Sequence, residues 1–269
     1  MLGTGKAGHT GTLDKFAEGL LLVLIGRALK LSKWFTGCDK QYEGTICFGV
    51  ETETLDPEGP PVATAPLPSR GTVEKALCQF TGEIEQVPPA YSAIHVGGER
   101  ASVLARRGQA PQMQKRPVTI HRLELLSWEP PHARIFVHCS SGTYIRSLAR
   151  DIALAAGSRA HLSALVRTRV AGFRLEEAVS ENRGQISPIN KEVFEKLGIP
   201  CIEIAPEDAR KVVQGKPLAQ ILGSSPAFSG VSGSVAALFS EESLIAVIEK
   251  ENRETARCSW NYGYVYAHN

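Results

Sequence analysis

The chain has 269 residues, a 43% hydrophobic and 22% charged composition, and a formal net charge of +2 at pH 7. These values exclude a disordered chain and fit one large domain, or a large domain with a small one. So small a net charge does not announce a nucleic-acid protein, and any RNA surface must come from clustered basic residues.

Residues 3–13 read as a glycine-rich loop. The apolar run 20–25 is too short to span a bilayer. Asp14 and Glu18 stand where a signal peptide is basic, so the run reads as a buried strand between Gly19 and Gly26. Ala28, Leu31 and Phe35 have helical spacing, with Arg27, Lys30 and Lys33 on another face. Residues 41–50 alternate, which puts Tyr42, Gly44, Ile46, Phe48 and Val50 on one face of a strand. Asp56-Pro57-Glu58-Gly59 is a turn, followed by a Pro-rich loop to Pro68.

Thr72 is expected to cap a helix carrying Val73, Ala76, Leu77 and Phe80. A basic segment, 95–116, holds Arg100, Arg106, Arg107, Lys115 and Arg116. Residues 117–127 and 133–139 read as strands. Thr143 is expected to cap a helix through Ala156, with Ile145, Leu148 and Ile152 inward and Gly157 as its stop. Residues 181–199 read as a linker. Beyond about 200, alternating stretches at 235–239 and 244–248 suggest a small β-rich module. Strands adjacent in sequence favour an α+β fold with a mixed, mainly antiparallel sheet.

Six cysteines, at 38, 47, 78, 139, 201 and 258, include no CxxC pair, and no histidine stands three to five residues from another. The spacing argues against a zinc site. Scattered cysteines without a secretion signal fit a reduced, cytoplasmic protein.

The stretch Gly8-His9-Thr10-Gly11-Thr12-Leu13-Asp14, followed by Ala17-Glu18-Gly19-Leu20-Leu21, presents a histidine and a carboxylate on a glycine-flanked loop. Such loops often carry function, although a lone loop carboxylate is more often a turn or cap residue. Four further segments stand in order behind it: Asp39-Lys40-Gln41-Tyr42, Val87 to Ala93, Cys139 to Arg146, and Ala160-His161-Leu162 through Leu165 to Arg167-Thr168. Together they closely resemble the signatures of the TruB family of pseudouridine synthases, over roughly residues 5–175. The C-terminal part is only loosely similar to the small RNA-binding, PUA-like module that ends bacterial members. The resemblance divides the chain into a catalytic domain, 1–190, and that module, 200–269.

The resemblance implies isomerisation of uridine to pseudouridine at T-loop position 55 of tRNA, with Asp14 as catalytic carboxylate. It makes Arg146 the counter-ion of Asp14 and Tyr42 the base-stacking aromatic. Leu165 becomes a pocket wall, Tyr144 a substrate contact, and His9 the residue that enters the vacated stack when the base is flipped out. Taken without the family, each has a plainer reading: Arg146 a helix-surface cation, Tyr42 and Leu165 core residues, His9 an exposed loop histidine. The implied partner is the T-arm of tRNA, bound by a monomer without a guide RNA, a membrane, a metal or a cofactor. Recognition would be by shape and phosphate contacts, with Lys6, Lys15, Arg27, Lys30, Lys33, Lys40 and the segment 100–116 as candidate partners.

Several positions depart from the family pattern. Lys15 replaces a proline, Val166 replaces the first arginine of the last motif, and Ser102 replaces an aromatic. The family also carries a strand and a Lys-Pro-x-Gly turn ahead of the first motif, where this sequence has only seven residues. The expected consequence is an exposed sheet edge and apolar surface. Three alternatives are a non-catalytic tRNA-binding or tRNA-folding protein on the same scaffold, a guide-RNA-dependent relative, and an unrelated carboxylate enzyme such as a glycosidase. The last finds no second carboxylate in a comparable motif.

Overall fold

The computed structural model describes residues 5–179, 186–222, 233–250 and 260–266. The expectations on residues 3–4 and 181–185, and parts of the C-terminal module including Cys258, lie outside them. In chain order the strands β1 (Ala7–His9), β2 (Glu18–Gly19) and β3 (Val23–Ile25) precede helix α1 (Ser32–Thr36). Next come β4 (Lys40–Phe48), β5 (Val50–Thr52), β6 (Pro61–Thr64), α2 (Arg70–Leu77) and β7 (Gly82–Gln86). A short hairpin, β8 (His95–Val96) and β9 (Glu99–Arg100), leads into α3 (Ala101–Arg106), β10 (Arg116–Glu129), β11 (His132–Cys139), α4 (Ile145–Ala155), β12 (Ala160–Val170) and β13 (Phe173–Arg174). The last part holds α5 (Lys191–Lys196), β14 (Cys201–Glu203), α6 (Pro206–Val213), α7 (Leu218–Leu222), β15 (Val235–Ser240), β16 (Ser243–Lys250) and β17 (Trp260–Val265).

The main sheet runs β13-β12-β4-β11-β10-β7, with β2 added to β12 in parallel and the other pairings antiparallel. This is the expected α+β architecture. Strand β4 sits inside the sheet because it alternates strictly: Tyr42, Ile46 and Phe48 are buried on one face. Against that face lie α2 and α4, which contribute Val73, Leu77, Ile145, Leu148 and Ile152 to the core. Fully burying each of the larger side chains contributes about 1.5–3 kcal/mol. A bulge at Ser163 shifts β12 by one residue against β4. Ala160 and Leu162 point inward before it, Leu165 and Arg167 after it. Without the bulge the period of two would turn Leu165 and Arg167 to the other face.

Several local expectations are corrected. The run 20–25 is not one strand. Gly19 adopts φ +105°, and a Cβ there would sit 2.4 Å from the Arg167 carbonyl oxygen, so the chain leaves the sheet at this close approach and pairs with β1 instead. The cap of α2 is Ser69, three residues earlier than expected, whose side chain accepts from Thr72 N. Thr143 does not cap α4. Its hydroxyl donates to the Ser140 carbonyl, and the amide of Tyr144 donates to Gln86 Oε1 on β7. The Pro-rich loop contains β6, paired with β5. Within the expected linker, residues 191–196 are helical and Phe194 is completely buried.

The C-terminal sheet runs β14-β15-β16-β17, with α6 and α7 packed on one side. Its other side shares a core with the N-terminal segment: Phe194, Phe239, Leu244 and Val247 pack with Leu31, Trp34 and Phe35. Leu21 and Val23, by contrast, are 40% and 50% exposed.

Candidate active site

The centre of the site is Arg146, one residue into α4 and only 4% exposed. Its Nε donates to Asp14 Oδ2 and its Nη2 to Asp14 Oδ1, both at 2.8 Å. This bidentate, charge-assisted pairing fixes both the position and the plane of the carboxylate. Nη2 also donates to the Tyr91 carbonyl at 3.0 Å, while Nη1 donates to the Thr54 carbonyl at 2.8 Å and to Asp56 Oδ2 at 3.2 Å. The guanidinium is thus held by three groups from two segments, the 54–56 turn and Tyr91, besides Asp14. Asp14 itself is partly open, with 34% of its side chain exposed, so it faces the cleft with a preset geometry.

Asp56 was legible only as part of a turn. It is 6% exposed and belongs to the site as the second anion on Arg146. Its Oδ1 accepts from the Glu58 amide and the Thr54 hydroxyl, and Leu55 adopts φ 60° to make the tight turn. Sequence reasoning missed it because an Asp-Pro turn is common on surfaces, and nothing local shows that this one is covered.

A cleft of about 770 Å³ opens beside the pair and is lined by Asp14, Tyr42, Tyr144, Arg146 and Leu165, among others. Five of the six expected site residues therefore meet in one place. Tyr42 is 7% exposed. Burial pushes its phenol up to about 12, with Cys139 and Asp14 adding to the rise and Arg167 opposing it, so it is neutral at physiological pH. The Tyr144 ring lies 4.9 Å from the Arg116 guanidinium in a cation–π contact. Leu165 is held on the inner face by the β12 bulge.

His9 is exposed on β1 and is absent from the cleft lining. Lys40, expected as a phosphate contact, is buried, and its Nζ donates to the Thr36 and Cys38 carbonyls. Arg167 is a further lining residue, 2% exposed, and it ties the motif loop down by donating to the Leu20 and Gly11 carbonyls. Lys15, standing where the family has proline, pairs with Glu58 at 2.9 Å on the surface.

The fold matches solved structures. A Cbf5-Nop10-Gar1 complex gives a TM-score of 0.67 at 22% identity over 98% of this chain and 77% of that one. An H/ACA RNP bound to a substrate RNA gives 0.65 at 20% identity over 99% and 78%. These likenesses define the class of fold. The sequence defines the family: the model for the N-terminal domain of TruB family pseudouridylate synthases matches residues 1–145, and the chain belongs to that family. Among curated relatives, tRNA pseudouridine synthase B of Aromatoleum aromaticum is 42% identical over 236 residues, which is 84% of this chain and 76% of the relative. The same-named protein of Treponema pallidum is 44% identical over 68% of this chain and 57% of its own length. That of Symbiobacterium thermophilum is 49% identical over 66% of this chain and 62% of its own.

Proposed function

We propose that this chain is an enzyme that isomerises uridine to pseudouridine in tRNA, at T-loop position 55, with Asp14 as the catalytic carboxylate. The observation that carries the reading is the Asp14–Arg146 pair at the wall of a cleft also lined by Tyr42 and Leu165. The names of the curated relatives support the reaction and its tRNA substrate.

The reaction breaks the N-glycosidic bond, turns the uracil, and rejoins it to the ribose through C5. A carboxylate serves either route from Asp14, attack at the ribose or deprotonation toward a glycal, and the bidentate guanidinium fixes its position and plane. A stacked uridine cannot reach Asp14, so it is flipped out at a cost of a few kcal/mol. Tyr42 stacks against the flipped base, a contact of the order of 1–3 kcal/mol. Leu165 walls the pocket and Tyr144 contacts the nucleoside. His9, exposed outside the cleft, enters the gap left in the T-loop stack. Residues 1–190 form the catalytic domain and 200–269 a module that extends the RNA surface. The protein acts in the cytoplasm as a monomer without a guide RNA. Among the described residues, no helix is long and apolar enough to cross a membrane.

The test is incubation with an unmodified tRNA transcript followed by chemical mapping of pseudouridine. A T-loop signal that disappears in Asp14→Asn is the expected result. Binding without product would make the chain a non-catalytic tRNA-binding protein, and product only with an added guide RNA would make it a guided enzyme.

A further inference from the structure

On the sheet face opposite α2 and α4, three metal-ligating side chains from three separate segments converge. They are Asp39, just ahead of β4; His121 on β10; and His138 on β11. One ligand atom from each lies within 4.8 Å of the other two. His121 Nε2 stands 3.0 Å from Asp39 Oδ2, and the two imidazole rings are 4.7 Å apart.

The pairing of β10 with β11 brings the two histidines together. In the β10–β11 ladder Ile120 pairs with Cys139, but Arg122 pairs with His138, which leaves His121 as an extra residue on a bulge. Ile120 is buried, so alternation already puts His121 on the outer face, and the bulge sets His121 and Arg122 together opposite His138. Asp39 shares that outer face because Lys40, the next residue, points into the core. Its backbone is fixed by the Ala171 amide, which donates to its carbonyl at 2.9 Å.

We propose that Asp39, His121 and His138 bind a divalent first-row transition-metal ion such as zinc. Two imidazoles and one carboxylate are a known three-ligand set for zinc, with the fourth position open to solvent. Tetrahedral zinc needs its ligand atoms about 3.3–3.5 Å apart, so closing the set takes side-chain shifts on the order of an ångström. Two nearby cations are already engaged. Arg122 is held by both carboxylate oxygens of Glu124, at 2.7 and 2.8 Å, and Arg169 donates to the Ala171 carbonyl. Burial and the neighbouring His121 both lower the pKa of His138, which favours the neutral, ligating form. The spacing argument against zinc in the sequence fails here because the ligands are gathered by strand pairing rather than by a local motif. A bound ion clamps β10 and β11 to the segment entering β4, directly behind Lys40 and Tyr42 of the cleft.

Isothermal titration of the full chain, stripped with EDTA and titrated with zinc chloride, tests this. One saturable equivalent is expected, weakening as pH falls from about 7 to 5 because protons compete for both imidazoles. His121→Ala and His138→Ala should each weaken binding beyond the roughly 10–100-fold that loss of an outer-shell partner costs, with Asp39→Asn weaker than wild type. Circular dichroism checks that the variants fold. Independently of any variant, zinc should shift the ring proton resonances of two histidines, His121 and His138, in the wild-type NMR spectrum. No saturable equivalent, an unchanged isotherm in the double histidine variant, or shifts at other histidines instead would overturn the proposal.

Discussion

Arg146 joins two carboxylates that differ sharply in exposure, and substitution should separate their roles. Asp56 is nearly inaccessible, so Arg146→Ala leaves it without its cation and should destabilise the fold by about 3–5 kcal/mol, measured by denaturant unfolding. Asp14→Asn removes only the half-open partner and should leave the unfolding midpoint close to wild type while abolishing pseudouridine formation. Equal destabilisation by both variants would show that the Asp14 contact is mainly structural. Arg146→Lys keeps the charge but cannot form the planar fork, and a displaced Asp14 should lower kcat by about 100-fold. Tyr42 makes a separate prediction. Its phenol sits at about 12 in the folded chain against an ordinary value of 10, so folding favours the neutral form. That contribution is complete below pH 10 and is lost as pH rises through 12. Tyr91 and Tyr262 are also raised, so ultraviolet titration should show fewer tyrosines ionising near pH 10 in the folded than in the unfolded chain, and Tyr42→Phe should remove the component that titrates near 12. At this scale the sequence was informative about identity and silent about burial. Asp14, Arg146 and Tyr42 were all visible through their motifs, whereas Asp56 looked like any Asp-Pro turn.

Elements position these residues through their ends and irregularities more than through their regular interiors. The α2 helix begins at Ser69, whose side chain accepts from Thr72 N and lies 2.9 Å from the Thr72 hydroxyl. Ser69→Ala should therefore cost about 1 kcal/mol in thermal or chemical unfolding. If Thr72→Ala proved the more damaging change, the helix would start where the sequence alone suggested. Helix α4 dispenses with a side-chain cap because Gln86 binds the backbone of Tyr144 on both sides, its Oε1 accepting from Tyr144 N and its Nε2 donating to Tyr144 O. That clamp fixes the turn from which Arg146 reaches Asp14. Two bulges shape the sheet, one aiming Leu165 and Arg167 inward, the other placing both His121 and Arg122 opposite His138. Periodicity placed β4, β10, β11, β15 and β16 closely, but it joined 20–25 into one strand and left β6 in a loop, and a bulge depends on how two strands pair, which no single strand's sequence declares.

Across the whole molecule, the chain ends are joined by a shared core rather than by a loose connection. Phe194 is completely buried and packs edge-on to Phe239, in the same cluster as Leu31, Trp34 and Phe35. Phe194→Ala should cost about 3–5 kcal/mol and reduce hydrogen-exchange protection in residues 28–35 as well as in β15 and β16. Loss of protection in the C-terminal sheet alone would mean that the shared core does not couple them. What the sequence determined by itself was the family and its chemistry, and with them the α+β class. Motif order, hydrophobic alternation and helical spacing are written along the chain and need no partner to be read. What only the tertiary structure decided was which polar groups are covered, which face a bulged residue takes, and which distant residues meet. The burial of Asp56, the inward turn of Leu165 and the meeting of Asp39 with two histidines all arise from packing between segments far apart in sequence. Asp14 had a motif before it had a structure, but its fixed orientation comes from the Arg146 guanidinium, itself held by Thr54, Asp56 and Tyr91.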